Sequence, residues 1–298
     1  MRTLLLLLSL APFANAQPNP PVPLPEGTKV LKDLAYVPGG HERQRLDLYL
    51  PATGSHWPLV VAIHGGAFRM GSKESEPAGA FVARGFAVAA LNYRLSQHAV
   101  FPAQIEDCKA AVRWLRANAP QYGYDPDRVA SYGASAGGHL AAMLGTAGDV
   151  KAFDVGANAG LSSRVQAVVD FFGPTDFLQM DAHRVSAQAM VHDTPDSPES
   201  QLVGGPIRDN PEKVARANPV TYVTADDPPF LIVHGDADLL VPHHQSELLE
   251  AALRKAGVRV RLVTIPGGPH GGETVRQGLP LAFDFLDEVL SSRPAGPQ

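Results

Sequence analysis

The chain has 298 residues, of which 45% are hydrophobic and 18% are charged, and its formal net charge is −5 at pH 7. This composition excludes a disordered chain, because enough apolar residues are present to bury a large core. The slightly acidic balance argues against a nucleic-acid partner. After the amino terminus no apolar stretch is long enough to form a membrane span.

The amino terminus has the pattern of a targeting signal. Arg2 precedes a leucine-rich core over residues 4–10, and an Ala-Asn-Ala sequence ending at Ala16 fits the rule for signal-peptide cleavage. The pattern predicts a signal peptide over residues 1–16 and export to the periplasm or the medium. A proline-rich tether over residues 17–28 is expected to follow.

The remaining chain shows the alternation of strands and helices that is typical of a parallel sheet. Two alternating strands near residues 29–37 and 45–50 predict an antiparallel edge. After them, apolar runs alternate with helical stretches, which predicts crossover units around a sheet buried on both faces. The predicted strands are 59–64, 86–92, 129–132, 165–172, 230–233 and 258–265. The predicted helices are 75–84, 103–119, 136–146, 243–256 and 279–291.

The alternation lapses over residues 173–227. A connection of this length is too long for an ordinary loop and is typical of a lid or a binding segment. Two interpretations stay open for this insert. It forms a cap that shapes the acyl or alcohol pocket, or it is a peripheral excursion that only covers the sheet.

A Gly-Ala-Ser-Ala-Gly sequence over residues 133–137 joins a predicted strand to a predicted helix. Its glycines permit the sharp turn that presents the Ser135 hydroxyl at the sheet edge as a nucleophile elbow. The pentapeptide by itself is weak evidence, because a plain tight turn has the same composition. The interpretation depends on residues that follow the other strands.

An acid and a histidine follow later strands, in the chain order that a hydrolase triad requires. A serine hydroxyl needs an imidazole to take its proton, and the imidazole needs a carboxylate to fix its tautomer. We predict that His270 is the base and that Asp238 is its carboxylate partner. Asp236 is the alternative acid, although it is better placed to brace the turn after its strand.

Three backbone N–H groups are candidates for an oxyanion hole. Gly65 and Gly66 follow the predicted strand 59–64, and Ala136 follows the nucleophile. Because parallel strands end at a common edge, these groups are expected to lie beside Ser135. There they can stabilise the negative oxygen of a tetrahedral intermediate.

The other histidines are given structural interpretations. His64 is expected to bond the backbone near the oxyanion loop rather than to act as the base. His243 and His244 are adjacent at the start of a helix and point about 100° apart, so they are expected to be cap or rim residues. His139 and His234 have no assignable partner and are interpreted as ordinary core residues.

Cys108 is the only cysteine of the chain, so the fold contains no intramolecular disulfide. Together with Ile105, Val112 and Leu115 it falls on one helical face, which predicts a buried core position. No cluster of cysteine, histidine and carboxylate residues has metal-ligand spacing, and a mechanism without a metal is therefore expected.

Several separate motifs resemble the α/β-hydrolase esterases of the hormone-sensitive lipase and carbohydrate esterase type. The likeness is nearest to bacterial feruloyl and acetyl xylan esterase-like (BD-FAE-like) proteins. In chain order the motifs are HGGAF with the following RMGSK, NYRLS, FPAQIEDCKAAVRWLRANA, YGYDPDRVASYGASAGGHLAAMLG, DFFGPTDF and HGDADLLVP.

The resemblance covers residues 29–292 and implies an α/β-hydrolase domain, which we place at residues 29–298. It implies an eight-stranded, mostly parallel sheet with helices on both faces, and a modest cap insert. It also implies no cofactor, and it assigns the triad to Ser135, Asp238 and His270. The chain departs from the commoner HGGG form, because Ala67 stands at the third glycine.

These observations predict an exported serine carboxylesterase for short-chain or aromatic acyl esters, such as acetyl or feruloyl groups on plant polysaccharide. The insert is rich in Pro, Asp, Ser and Gln, which disfavours the large apolar lid of a long-chain lipase. The alternatives are a general lipase or esterase, an arylformamidase-like amidase, and a hydrolase-fold binding module without activity. The expected partner is a small-molecule or polysaccharide-linked ester.

Overall fold

The structure is a computed structural model that describes residues 22–291. The predicted signal peptide over residues 1–16 lies outside the described residues, as do residues 17–21 of the tether. Residues 22–28, the described part of the tether, contain neither helix nor strand. Across the described residues, no helix has the length and apolar character needed to cross a membrane.

Eight strands of the described chain form one sheet, namely β1 (Lys29–Ala35), β2 (Arg45–Leu50), β3 (Trp57–Ile63), β4 (Ala87–Leu91), β5 (Tyr124–Ala134), β6 (Ala167–Phe171), β7 (Phe230–Gly235) and β8 (Val260–Ile265). Their order in the sheet is β1-β2-β4-β3-β5-β6-β7-β8. The pairs β1–β2 and β2–β4 are antiparallel. The other six strands, β3 to β8, run parallel to one another. The predicted antiparallel edge and parallel sheet are therefore confirmed.

Helices cover both faces of this sheet. They are α1 (Ala78–Ala83), α2 (Ala103–Tyr122), α3 (Ala136–Thr146), α4 (Pro198–Val203), α5 (Pro211–Ala217), α6 (His244–Lys255) and α7 (Glu273–Ser291). The two-sided packing is visible on β3. There Leu59, Val61 and Ile63 join the core layer of α2, α3 and α6, whereas Val60 and Ala62 join the layer of α1 and α7.

The last helix differs from its prediction, since it begins at Glu273 rather than at residue 279. Gly278 and Pro280 weaken the helical signal of this segment. A Cβ atom at Gly278 would lie 2.6 Å from the Phe171 ring, so the glycine is needed for close packing. Contact with the sheet therefore outweighs the low helix propensity of both residues.

Buried charges fix α2 to the turn that follows α3. Lys109 Nζ and Arg113 Nη1 lie 3.1 Å and 2.9 Å from Asp154 Oδ1. Both cationic side chains are fully buried, so removing the carboxylate would cost roughly 3 to 5 kcal/mol. Cys108 beside them is buried, as predicted.

The insert over residues 173–227 contains α4, α5 and several short 3-10 turns. The carboxyl ends of β3, β5, β6, β7 and β8 lie at one edge of the sheet because these strands are parallel. The insert contacts loops at this edge. Arg69 Nη1 donates to the Asp196 carbonyl at 3.4 Å, and Met190 N–H donates to the Leu239 carbonyl at 2.8 Å.

Candidate active site

Ser135 lies between the end of β5 and the start of α3 with φ of 58° and ψ of −123°. A non-glycine residue in this backbone region is strained by roughly 1 to 3 kcal/mol, and such strain is concentrated at functional sites. The Ser135 N–H donates to the Phe171 carbonyl at 2.8 Å, which holds the turn against β6. A Cβ atom at Gly137 would lie 2.0 Å from the Ile63 carbonyl, so only glycine allows α3 to approach β3 this closely. The sequence therefore forms the strained strand–turn–helix geometry that a nucleophile elbow requires.

Asp238 and His270 are in direct contact. His270 Nδ1 lies 2.6 Å from Asp238 Oδ2, the shortest separation that either carboxylate oxygen makes. The carboxylate is almost fully buried, and the imidazole is partly exposed. This bond fixes the Nδ1–H tautomer of His270 and leaves its Nε2 as the atom that can accept a proton.

The rest of the Asp238 carboxylate is also hydrogen-bonded. Its Oδ1 accepts the N–H groups of Leu240 at 2.7 Å and Val241 at 2.9 Å, and Oδ2 also receives His234 Nε2 at 3.2 Å. Burial alone would raise the pKa of Asp238. The charge of His270 and the hydrogen bonds from both histidines outweigh burial and hold this pKa well below its usual range. The carboxylate is therefore ionised at neutral pH.

His234 is a contact residue of this site that the sequence analysis missed. Its Nε2 faces two acceptors, Asp238 Oδ2 and the Val241 carbonyl at 3.0 Å, so Nε2 carries the proton. Its Nδ1 lies 2.7 Å from Ser246 Oγ and accepts the hydroxyl proton. Burial lowers the pKa of His234, which keeps the ring neutral. Its position four residues before Asp238 was the available signal.

Asp236, the alternative acid, lies elsewhere. It is exposed, and its Oδ1 accepts the Gly267 N–H at 2.6 Å. This contact joins the loop after β7 to the loop after β8, which is the bracing role that the sequence suggested. Of the two aspartates, the structure brings Asp238 to His270.

Ser135 and His270 lie at the same edge of the sheet without a hydrogen bond to each other in the described chain. The Ser135 N–H is bonded to the Phe171 carbonyl, and the centroid of the adjacent Phe172 ring lies 4.5 Å from that of His270. In enzymes without substrate, the bond between nucleophile and base is often long and shortens only in the complex. The structure thus brings Asp238 and His270 into direct contact and places Ser135 at the same edge of the sheet.

The predicted oxyanion donors lie around Ser135. A Cβ atom at Gly65 would be 3.5 Å from Ser135 Cβ, and Ala136 is the first residue of α3, where N–H groups have no intrahelical acceptor. Within residues 22–291, the N–H groups of Gly65, Gly66 and Ala136 donate to no other group of the protein. They are therefore able to donate to a substrate oxygen. Ala67 adopts φ of 54°, which is the conformation that the glycine of the HGGG form accommodates without strain.

The Gly65–Gly66 peptide is held from behind by His64. His64 Nδ1 donates to the Gly65 carbonyl at 2.7 Å, and Arg43 Nη2 donates to His64 Nε2 at 3.0 Å. Burial lowers the pKa of His64 to about 4, so the ring is neutral and can accept from Arg43. The predicted backbone contact of His64 is therefore present. In a trans peptide, fixing the Gly65 carbonyl also fixes the direction of the Gly66 N–H.

The other three histidines for which the sequence suggested structural roles have defined surroundings. His139 is buried and donates through Nδ1 to the Pro174 carbonyl at 2.8 Å. His243 and His244 point to different neighbours, as predicted. The first bonds Thr264 Oγ1 at 2.8 Å, and the second stacks on His183 with 3.4 Å between ring centroids. In the described part of the chain, no three His, Cys, Asp or Glu side chains are arranged to hold a metal ion.

Comparison with known proteins supports the same fold. Residues 46–253 match the family model described as BD-FAE. Esterase LipQ of Mycobacterium tuberculosis is 31% identical over 88% of this chain, and the probable carboxylic ester hydrolase LipM of the same organism is 33% identical over 85%. The chain spans only 63% of the length of LipQ and 58% of that of LipM.

Two solved structures are similar over most of this chain. A truncated carbohydrate esterase from gut microbiota has a TM-score of 0.83 and 32% identity, covering 90% of this chain and 99% of that one. An acetyl ester-xyloside bifunctional hydrolase from Caldicellulosiruptor lactoaceticus has a TM-score of 0.69 and 25% identity, covering 82% and 88%. The chain therefore belongs to the BD-FAE family and has the α/β-hydrolase fold of its esterase neighbours.

Proposed function

We propose that the protein is an exported serine carboxylesterase that hydrolyses short-chain or aromatic acyl esters. Ser135 is the nucleophile, His270 the base and Asp238 the carboxylate that orients it. The observation that carries this proposal is the 2.6 Å contact between His270 Nδ1 and Asp238 Oδ2, at the edge where the elbow presents Ser135.

In the proposed acylation step, Ser135 Oγ forms a bond to the acyl carbon while His270 Nε2 accepts the hydroxyl proton. The carbonyl electron pair moves onto its oxygen, which the N–H groups of Gly66 and Ala136 stabilise. This pair then re-forms the carbonyl, the bond to the alcohol oxygen breaks, and His270 returns the proton to the leaving alcohol. A water molecule next attacks the acyl-enzyme by the same sequence and releases the acid.

The proposed substrate class rests on the surroundings of the site and on the neighbours. Exposed apolar side chains stand beside both functional loops, namely Met70 after the oxyanion glycines and Leu239 and Leu240 after Asp238. These side chains offer an apolar surface on which the apolar part of a small or aromatic ester can pack. The carbohydrate esterase and the acetyl ester-xyloside hydrolase among the similar structures support esters on plant polysaccharide.

Export is the second part of the proposal, and it rests on the amino-terminal pattern. We expect the protein recovered from the periplasm or the medium of a producing bacterium to begin at Gln17. Intact-mass measurement of that protein checks this expectation. A recovered protein that retains residues 1–16 would contradict it.

An ester panel tests the substrate class. The series runs from p-nitrophenyl acetate through butyrate to octanoate, and adds methyl ferulate, acetylated xylan and an N-formyl arylamine. We expect acetyl or feruloyl esters to have the highest kcat/KM, and octanoate to be at least about tenfold lower, because an acyl pocket discriminates between chain lengths. A preference for octanoate would indicate a lipase, and a preference for the formamide would indicate an amidase.

A further inference from the structure

The loop of residues 238–241, here called the acid loop, is held by the insert at two successive peptide groups. The Met190 N–H donates to the Leu239 carbonyl at 2.8 Å. His192 Nε2 donates to the Leu240 carbonyl at 2.9 Å. Both donors belong to the insert over residues 173–227, and both acceptors are carbonyls of the acid loop.

The opposite ends of the same two peptides face Asp238. The carbonyl and the N–H of a trans peptide point in opposite directions, so holding one end fixes the other. The N–H that shares a peptide with the Leu239 carbonyl is that of Leu240, which donates to Asp238 Oδ1 at 2.7 Å. The N–H that shares a peptide with the Leu240 carbonyl is that of Val241, which donates to the same oxygen at 2.9 Å. The insert therefore orients both amide donors of the carboxylate.

His192 is itself fixed in place. It is buried, and its Nδ1 lies 3.0 Å from Oε2 of the buried Glu199 at the start of α4. Its own N–H donates to Asp181 Oδ1 at 2.8 Å, which anchors the segment that carries it. Each ring nitrogen thus faces an oxygen acceptor, and a doubly protonated ring satisfies both contacts.

The charged groups that face His192 are Glu199 and Asp181. Burial would lower the pKa of His192, but the hydrogen bond and charge of Glu199, with the charge of Asp181, raise it above its ordinary value. A raised pKa in the folded protein stabilises the fold below the ordinary value, and this contribution is lost as the pH rises through the raised one. The raised pKa favours the protonated ring, in which Nδ1 donates to Glu199 and Nε2 donates to the Leu240 carbonyl.

We propose that His192, oriented by Glu199, is a positioning residue for Asp238, and that the insert completes the catalytic machinery as well as covering the sheet. The inference rests on the proposed function for its kinetic consequence. In this role His192 does not contact the substrate. The alternative is that the short turn after Asp238 keeps its shape without the insert.

Four variants of the full chain separate these accounts. His192→Leu removes the donor, and His192→Leu combined with Glu199→Gln removes it without leaving an unpaired buried carboxylate. His192→Gln retains a side-chain N–H as the conservative replacement. Arg208→Gln is the matched control, because Arg208 pairs with Asp193 beside His192 and is exposed. Near-UV circular dichroism establishes that each variant is folded.

Two readouts are measured on each variant. The first is kcat and KM for p-nitrophenyl acetate. The second is the downfield ¹H NMR signal of the proton between His270 Nδ1 and Asp238 Oδ2, which is assigned by its absence in Asp238→Asn. We expect the double variant to lose about 10- to 100-fold in kcat with little change in KM, since a small misplacement of a catalytic group costs this much. The NMR signal should shift or broaden, His192→Gln should recover part of both effects, and Arg208→Gln should match the wild type.

The positioning role is overturned if the folded double variant keeps the wild-type kcat and the wild-type NMR signal, or if Arg208→Gln loses as much activity as the double variant. A wild type that hydrolyses no ester would defeat the proposed function instead. In that case the NMR comparison alone still decides whether the insert orients Asp238 against His270.

Discussion

The Ser135→Ala variant is expected to lose turnover of p-nitrophenyl acetate by about 10⁶-fold, because the nucleophile and base of a triad act as one unit. Without the hydroxyl there is no acyl-enzyme, and the remaining machinery can only assist direct attack by water. The fold should persist, since the backbone bond from Ser135 to Phe171 does not involve the side chain. Measurement of kcat for p-nitrophenyl acetate checks this result, and circular dichroism shows whether the variant is folded.

Ser131→Ala is the matched control for this experiment. Ser131 lies on β5, the strand that leads to Ser135, is fully buried, and donates through Oγ to the Ala141 carbonyl at 3.1 Å. Its replacement should lower the stability by about 1 kcal/mol and leave kcat near the wild-type value. A Ser135→Ala variant with most of the wild-type activity would show that another group is the nucleophile. Equal inactivity of the wild type and the variant would instead indicate a binding module.

The Asp238→Asn variant is expected to lose about 10⁴-fold in kcat, because an amide in place of the carboxylate presents the wrong partner to His270 Nδ1 and inverts the tautomer of the ring. Asp236→Asn should keep most of the activity. Its carboxylate accepts the Gly267 N–H at 2.6 Å, and an asparagine carbonyl oxygen can accept the same bond. The two variants are compared by kcat on p-nitrophenyl acetate.

The relative loss of kcat in these two variants decides which aspartate is the acid of the triad. If Asp236→Asn were the more severe change, Asp236 would have to reach His270 in solution, and the 2.6 Å contact of Asp238 would not be the working arrangement. Equal small losses from both would indicate that neither carboxylate orients the base.

Much of the sheet and the geometry of the site could be predicted from the sequence. Apolar runs with period-two or continuous patterns give the strands of a parallel sheet, and chemistry-bearing residues directly after those strands must meet at one edge. Ser135, Asp238 and His270 are therefore expected at a common edge. Asp238 is favoured over Asp236 as the acid because Asp236 is better placed to brace the turn after its strand.

The remaining features depend on contacts between segments that are distant in the chain. Nothing in the local pattern relates His192 to Leu240, which lies 48 residues further on. The buried partners of His234 are close in sequence, yet a lone histidine at a strand end is also typical of an ordinary core position. The predicted start of α7 is wrong because glycine has a low helix propensity, and Gly278 therefore suggests a residue outside the helix. In the structure, close contact with Phe171 requires a residue without a side chain at this position.

The bonds from Met190 and His192 to the acid loop have a consequence for engineering. Exchanging the segment between β6 and β7 among relatives is an obvious way to transplant substrate preference. In this protein such a chimera would also replace the two donors whose peptides face Asp238. A chimera that retains residues 190–199 of this protein keeps both donors, so that substrate preference can be exchanged without disturbing Asp238.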